Sequence, residues 1–234
     1  MKSGIVVVFA ATFASLGAAH ASGVLMWTDS LLGNDNWTPA VSAAGYSLTT
    51  ATSSSDFASK VALGGWDTVI LNLNQYPQAA YPDAVNAIET WVAHGGKAIA
   101  TDWYTDDNSF ANAFGASYTG SFNETVIHHA GTGIFTGVSN PVRLIDDGWS
   151  SNFSMGLSAT NNGVGIGTFG SGDFAVVQGN HGRTFFNGFI EDAAVNSADA
   201  QKIFEHELKP VPEPATYVAL SLGLLGIARS RRKG

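Results

Sequence analysis

The sequence predicts an α/β fold, a parallel sheet with helices packed on both of its faces, and three observations carry that prediction. Strand-length apolar runs alternate with stretches of helical periodicity through the first half of the chain. The run Thr68-Val69-Ile70-Leu71 is four consecutive β-branched or aliphatic residues, the mark of a strand buried on both faces. Glycine, proline or a capping hydroxyl punctuates nearly every junction between the two kinds of stretch.

Taken in order, residues 24–29 (VLMWTD) have strand length. Thr38-Pro39 reads as a helix N-cap followed by proline at the first helical position, for a short helix running to Gly45. Residues 46–52 alternate as a strand, and Ser54 or Ser55 caps a helix that stops at Gly64-Gly65. After the central strand at 67–73, Pro82 opens an amphipathic helix with Val85, Ile88, Trp91 and Val92 on one stripe and Gly95 as its stop. A strand at 97–104 and a short helix at 109–115 follow. From Tyr118 onward short strands are separated by Gly-rich turns, with a clear strand at 182–189 and a closing helix from Ser197 to Glu207. Gly163, Gly165 and Gly167 read as turns between strands, because they do not lie between a first strand and a helix as a phosphate loop would.

Both ends of the 234-residue chain look like processing segments. Lys2, an apolar run at residues 5–18 and the Ala19-His20-Ala21 site read as a signal peptide spanning 1–21, cut by signal peptidase. Residues 22–209 then form one domain, and 210–234 a separate tail. The domain carries six basic and eighteen acidic residues, a net charge of −12, which repels phosphate backbones and excludes nucleic acid as a partner. With no cysteine, disulfides, thiolate metal sites and a cysteine nucleophile are all excluded. No motif calls for a cofactor.

In an open parallel sheet, ligands bind beyond the carboxyl ends of the strands. This rule nominates Thr28, Asp29 and Ser30; Asn72 and Asn74; and Asp102, Trp103 and Tyr104, as residues converging on one crevice. Asp29 and Asp102, placed on neighbouring strand ends, are the candidates for a hydrolytic carboxylate pair, set against a plainer role as caps of the loops that follow. Trp103 and Tyr104 beside Asp29, Asn74 and Asp102 suit a sugar, whose ring stacks on an aromatic face while polar groups bond its hydroxyls. Trp66 and Trp149 read as core or edge packing. His128-His129 with Asp106-Asp107 and Asp146-Asp147 have no spacing typical of a metal site and read as a solvated rim, and His181 as exposed in its turn.

The helix, double glycine and strand at 87–102 (AIETWVAHGGKAIATD), the turn at 133–138 (GIFTGV) and the late strand at 182–189 (GRTFFNGF) resemble the class I glutamine-amidotransferase-like superfamily, in particular its trehalose-utilisation branch. The resemblance implies a flavodoxin-like parallel sheet and an active-site cysteine and histidine. Here the nucleophile position falls on Asp102 and the histidine position near Asn187 or Gly188. An aspartate cannot replace a thiolate in amide transfer, nor an asparagine act as its general base.

The tail reads Val211-Pro212-Glu213-Pro214, then fourteen uncharged residues at 215–228, then Arg229, Arg231, Arg232 and Lys233. As a helix that run would span about 21 Å against a hydrocarbon core of about 30 Å, short for a permanent anchor. The order is very similar to the PEP-CTERM sorting signal. That resemblance implies recognition at Pro212, Glu213 and Pro214 by an exosortase, with the segment held in the inner membrane before processing. It also implies a Gram-negative bacterium that makes exopolysaccharide, itself the candidate ligand on the cell surface or in the matrix.

Overall fold

The computed structural model describes residues 23–103, 108–145, 148–149 and 153–209. Outside these lie the expected signal peptide, Tyr104, Asp106, Asp107, Asp146, Asp147 and the sorting segment with Pro212, Glu213, Pro214 and its apolar span.

The elements run β1 (Gly23–Thr28), α1 (Trp37–Ala43), β2 (Ser47–Thr50), α2 (Ser54–Leu63), β3 (Thr68–Leu73), α3 (Pro82–Ala93), β4 (Ala98–Asp102) and α4 (Ser109–Ala113). They continue with β5 (Ala116–Phe122), β6 (Val126–His128), β7 (Val142–Arg143), β8 (Met155–Ala159), β9 (Val164–Gly165), β10 (Thr168–Phe169), β11 (Val176–Gly179), β12 (Thr184–Asn187) and α5 (Ser197–Leu208). The main sheet has the order β2-β1-β3-β4-β12-β11-β9. Its first five strands are parallel, which is the flavodoxin-like order with β12 in fifth place, and β11 and β9 add an antiparallel edge. The parallel sheet expected from the sequence is thus a mostly parallel one. β5 with β8, and β10-β6-β7, form two small antiparallel ladders beside it.

Alternation along the strands divides the core in two. Val24, Met26, Ile70, Ile99 and Phe185 face one way and pack with Trp37, Val41, Ile203 and Phe204 of α1 and α5. Leu25, Val69, Leu71, Ala100 and Phe186 face the other way and pack with Phe57 of α2, Val85 and Ile88 of α3 and Phe110 of α4. All six residues of β3 are buried, as its unbroken apolar start predicts. Gly165 lies in β9 with the Phe174 ring 2.2 Å from where a Cβ would stand, so tight packing against an aromatic ring accounts for glycine at this position. Among the described residues no helix is long and apolar enough to cross a membrane.

Candidate functional site at the carboxyl ends of the parallel strands

The chain leaves β1 for β2 on one side and then returns to β3 on the other, so strand order reverses between β1 and β3. Register puts Thr28, Asn72, Thr101 and Asn187 in one row across β1, β3, β4 and β12, two residues beyond the apolar row that packs on α1 and α5. Glu191, just past β12, sits over the reversal point. Its Oε2 accepts from Asn72 Nδ2 at 2.9 Å and from Thr28 Oγ1 at 3.4 Å, and its backbone oxygen accepts from Asn36 Nδ2 at 2.9 Å. Burial pushes the Glu191 carboxyl well above the usual carboxylate range, and the charges of Asp35 and Asp192 add to this against the bonds from Thr28 and Asn36.

At the other end of the row Asn187 Nδ2 donates to Glu207 Oε2 at 3.2 Å. Glu207 is completely buried, and the loss of solvent pushes its carboxyl up to about 8, against the Asn187 bond and the Lys97 charge. Asn72 Oδ1, Thr101 Oγ1, Asn187 Oδ1 and Glu207 Oε1 are buried without a hydrogen-bond partner. A protonated Glu207 carries a hydroxyl that an ionised one lacks, which suits a site containing an acceptor such as Asn187 Oδ1.

The opposite face holds the carboxylates singled out from the sequence. Asp29 is wrapped by backbone. Asn74 N donates to its Oδ1 at 2.7 Å, Tyr76 N to its Oδ2 at 2.9 Å, and Gln75 N reaches both oxygens at 3.1–3.2 Å. Burial raises the Asp29 carboxyl, and these backbone donors with Ser30 work against that rise. The loop so held continues the network: Asn74 Nδ2 donates to the Ser30 oxygen at 2.9 Å, and the Trp103 indole donates to the Asn74 oxygen at 2.8 Å. Asp29, Asn74 and Trp103 therefore do meet. Asp102, which precedes Trp103 and pairs in register with Leu73, is fully buried on the α3 and α4 side, where it accepts from Tyr118 Oη at 2.9 Å. Asp29 and Asp102 are not on neighbouring strands as the sequence suggested, because β3 runs between β1 and β4. Two strand spacings put their backbones about 10 Å apart.

Aromatic rings collect beside Asp29. Trp27 meets Tyr81 edge-on with centroids 4.8 Å apart, and Tyr81 meets Tyr76 at 6.3 Å. Tyr76, on the loop that Asp29 holds, is 50% exposed. Trp149 donates to Asp192 Oδ1 at 3.0 Å, and Trp66 donates to the Lys60 oxygen at 2.8 Å, so both have the packing roles expected of them. The second oxygen of Asp192 accepts from Leu32 N and Gly33 N at 3.1 and 2.9 Å and so fixes the loop after β1. His129 stacks on Phe135 with centroids 4.5 Å apart and makes local bonds with the Ser139 oxygen and Gly131 N, while His128 and His181 are exposed. Among the described residues no three His, Asp or Glu side chains are grouped to hold a metal ion.

The sequence reading missed Glu191, Asp192 and Tyr76. Glu191-Asp192 is an acidic pair just past a predicted strand, so the rule that selected Asp29 and Asp102 applied to it equally. Tyr76 carried no such signal, since its placement depends on the Asp29 contacts.

This α/β fold is similar to that of several solved structures, glutamine amidotransferases among them. A protein named as a GMP synthase component, from Thermoplasma acidophilum, matches it with a TM-score of 0.55 at 13% identity, over 86% of this chain and 98% of that one. A glutamine amidotransferase of Thermotoga maritima matches with 0.52 at 12%, over 77% and 80%. A carbohydrate deacetylase matches with 0.51 at 17%, over 80% of this chain but 32% of that larger one. At such identities the likeness is one of fold. No curated protein sequence matches the chain. Residues 210–233, however, match the PEP-CTERM protein-sorting motif. The chain thus joins a domain of amidotransferase-like fold to a sorting signal, and that signal implies export to the envelope of a Gram-negative bacterium and an exosortase as processing partner.

Proposed function

We propose that the protein is an exported component of the cell surface or extracellular matrix whose domain, residues 22–209, binds neutral polysaccharide and performs no amide transfer. In this reading residues 1–21 are removed on export and 210–234 are processed by exosortase. The observation that carries it is the crest around Asp29. There the carboxylate is engaged by three backbone N–H groups, and the loop it holds presents Tyr76 beside Asn74 and Trp103. The half-exposed ring of Tyr76 suits the C–H face of a sugar, on a loop whose backbone is fixed from below by Asp29 and by the buried Asn74. The net charge of −12 on the domain favours a neutral ligand over an anionic one.

Glycan hydrolysis by Asp29 and Asp102 is the weaker reading. A carboxyl pair needs water and substrate between its members, whereas Asp102 is completely buried and Asp29 has its acceptor sites filled. Affinity electrophoresis of the full chain in gels containing dextran or glucomannan, with product analysis, separates the two readings. Binding is expected to fall at least about tenfold, or 1.4 kcal/mol, in Tyr76→Ala and Trp103→Ala and to persist in Asp102→Asn. Release of reducing ends that Asp102→Asn abolishes, with binding intact, would establish the hydrolase instead.

A further inference from the structure

The polar row beneath the strand ends contains oxygens that the protein's own donors do not reach. Asn72 Oδ1, Thr101 Oγ1 and Asn187 Oδ1 stand in adjacent register on β3, β4 and β12. Their residues are at most 1% exposed, and none of the three oxygens bonds a protein group. The turn of the two amides accounts for this. Asn72 Nδ2 gives its protons to Thr28 Oγ1 at 3.2 Å and Glu191 Oε2 at 2.9 Å, toward β1, so its oxygen, on the other side of the amide carbon, faces β4. Asn187 Nδ2 donates to Glu207 of α5 and leaves its own oxygen over. Thr101 stands between them with the shorter side chain and one proton to give. Leaving such groups without partners in a buried site is unfavourable.

We propose that these three oxygens hold one internal water, lodged above Thr101 between the two amides. Adjacent strands lie about 4.8 Å apart, so the backbones of Asn72 and Asn187 are about 10 Å apart across β4, a gap the amides enter without bonding each other. A water there donates one proton to Asn72 Oδ1 and the other to Asn187 Oδ1, and it accepts the Thr101 hydroxyl. These make the roughly three bonds usual for a buried water. Water suits the lining better than a metal cation, which would leave the Thr101 proton without an acceptor among oxygens that carry no charge to balance it. The water joins the ends of β3, β4 and β12, and so fixes against one another the strands that lead into Asn74, Trp103 and Glu191.

Crystals of the full chain, measured before and after a soak in thallium(I) acetate, read the site directly. The expected density is a single peak about 2.7–3.1 Å from each of the three oxygens, with no anomalous signal after the soak. Absence of a peak overturns the proposal. So does a peak that takes up thallium, since the occupant would then be a cation. Thr101→Val gives a second measurement whose sign decides. If the hydroxyl serves the water, its loss is expected to raise the equilibrium constant for urea unfolding about fivefold, the equivalent of one hydrogen bond. A hydroxyl buried with no partner is instead relieved by the methyl group. A Thr101→Val protein as stable as the parent, or more stable, therefore overturns the proposal as well.

Discussion

At the scale of single residues, the polar groups at the strand ends divide into two kinds of buried acid. Asp29 and Asp192 collect backbone N–H donors and so fix the loops after β3 and β1, and burial outweighs those donors in raising the Asp29 carboxyl. Glu191 and Glu207 have few donors and are held toward the neutral form by burial. A carboxyl whose folded-state value is raised binds a proton in the folded protein that the unfolded chain has released. Its stabilising contribution is therefore full below the ordinary value of 4.5 and is lost as pH rises, until about 8 for Glu207. Lys97, lowered to about 8 by burial, acts above that range, where rising pH toward 10.5 favours the fold. Urea unfolding between pH 5 and 8 is expected to show Glu207→Gln removing about 1.4 kcal/mol per pH unit of the decline. The variant should be more stable than the parent at pH 8 and close to it at pH 5. An unchanged slope would mean that Glu207 is ionised in the fold. Asp29, Asn74 and Trp103 were legible in the sequence because strand ends can be counted. The separation of Asp29 from Asp102 was not, because strand order is set by tertiary packing.

At the scale of elements, local chemistry placed the starts of α3, α4 and α5 at Pro82, Ser109 and Ser197 and missed those of α1 and α2 by one or two residues. α2 is capped by Ser53, whose hydroxyl accepts from Asp56 N at 3.1 Å, and not by Ser54 or Ser55. Ser53→Ala is expected to cost about 1 kcal/mol in chemical denaturation, and Ser55→Ala close to nothing. Equal losses would place the cap elsewhere. α1 begins at Trp37, one residue before the predicted cap Thr38. Proline at its third position is tolerated because N–H groups of the first turn need no helical partner. The earlier start seats Trp37, fully buried, in a stack on Phe204 of α5 with centroids 4.1 Å apart, a tertiary contact that the local sequence cannot reveal. The antiparallel edge did leave a trace, since the four residues between β11 and β12 are too few for the crossover a parallel pair requires. Two-residue strands such as β9 and β10 left none, because only their distant partners define them.

On the scale of the whole molecule, the α/β class, the two helical layers and the sorting motif were all written in periodicity and in the order of the tail. The fold is similar to that of glutamine amidotransferases, the sequence holds no cysteine to supply a thiolate, and the acidic domain is followed by a protein-sorting motif. The proposed function places polysaccharide binding at the crest between β1 and β3, and the six tryptophans of the chain can report on that directly. The most direct test is the ¹⁵N–¹H spectrum of the six indole groups of the full chain, titrated with dextran or glucomannan. The Trp103 signal, whose N–H is bonded to the Asn74 oxygen, is predicted to shift and saturate while those of Trp37 and Trp66 stay fixed. A titration that moves no indole, or moves only Trp66, between α2 and β3, and Trp91, on α3, would contradict the crest as the polysaccharide site.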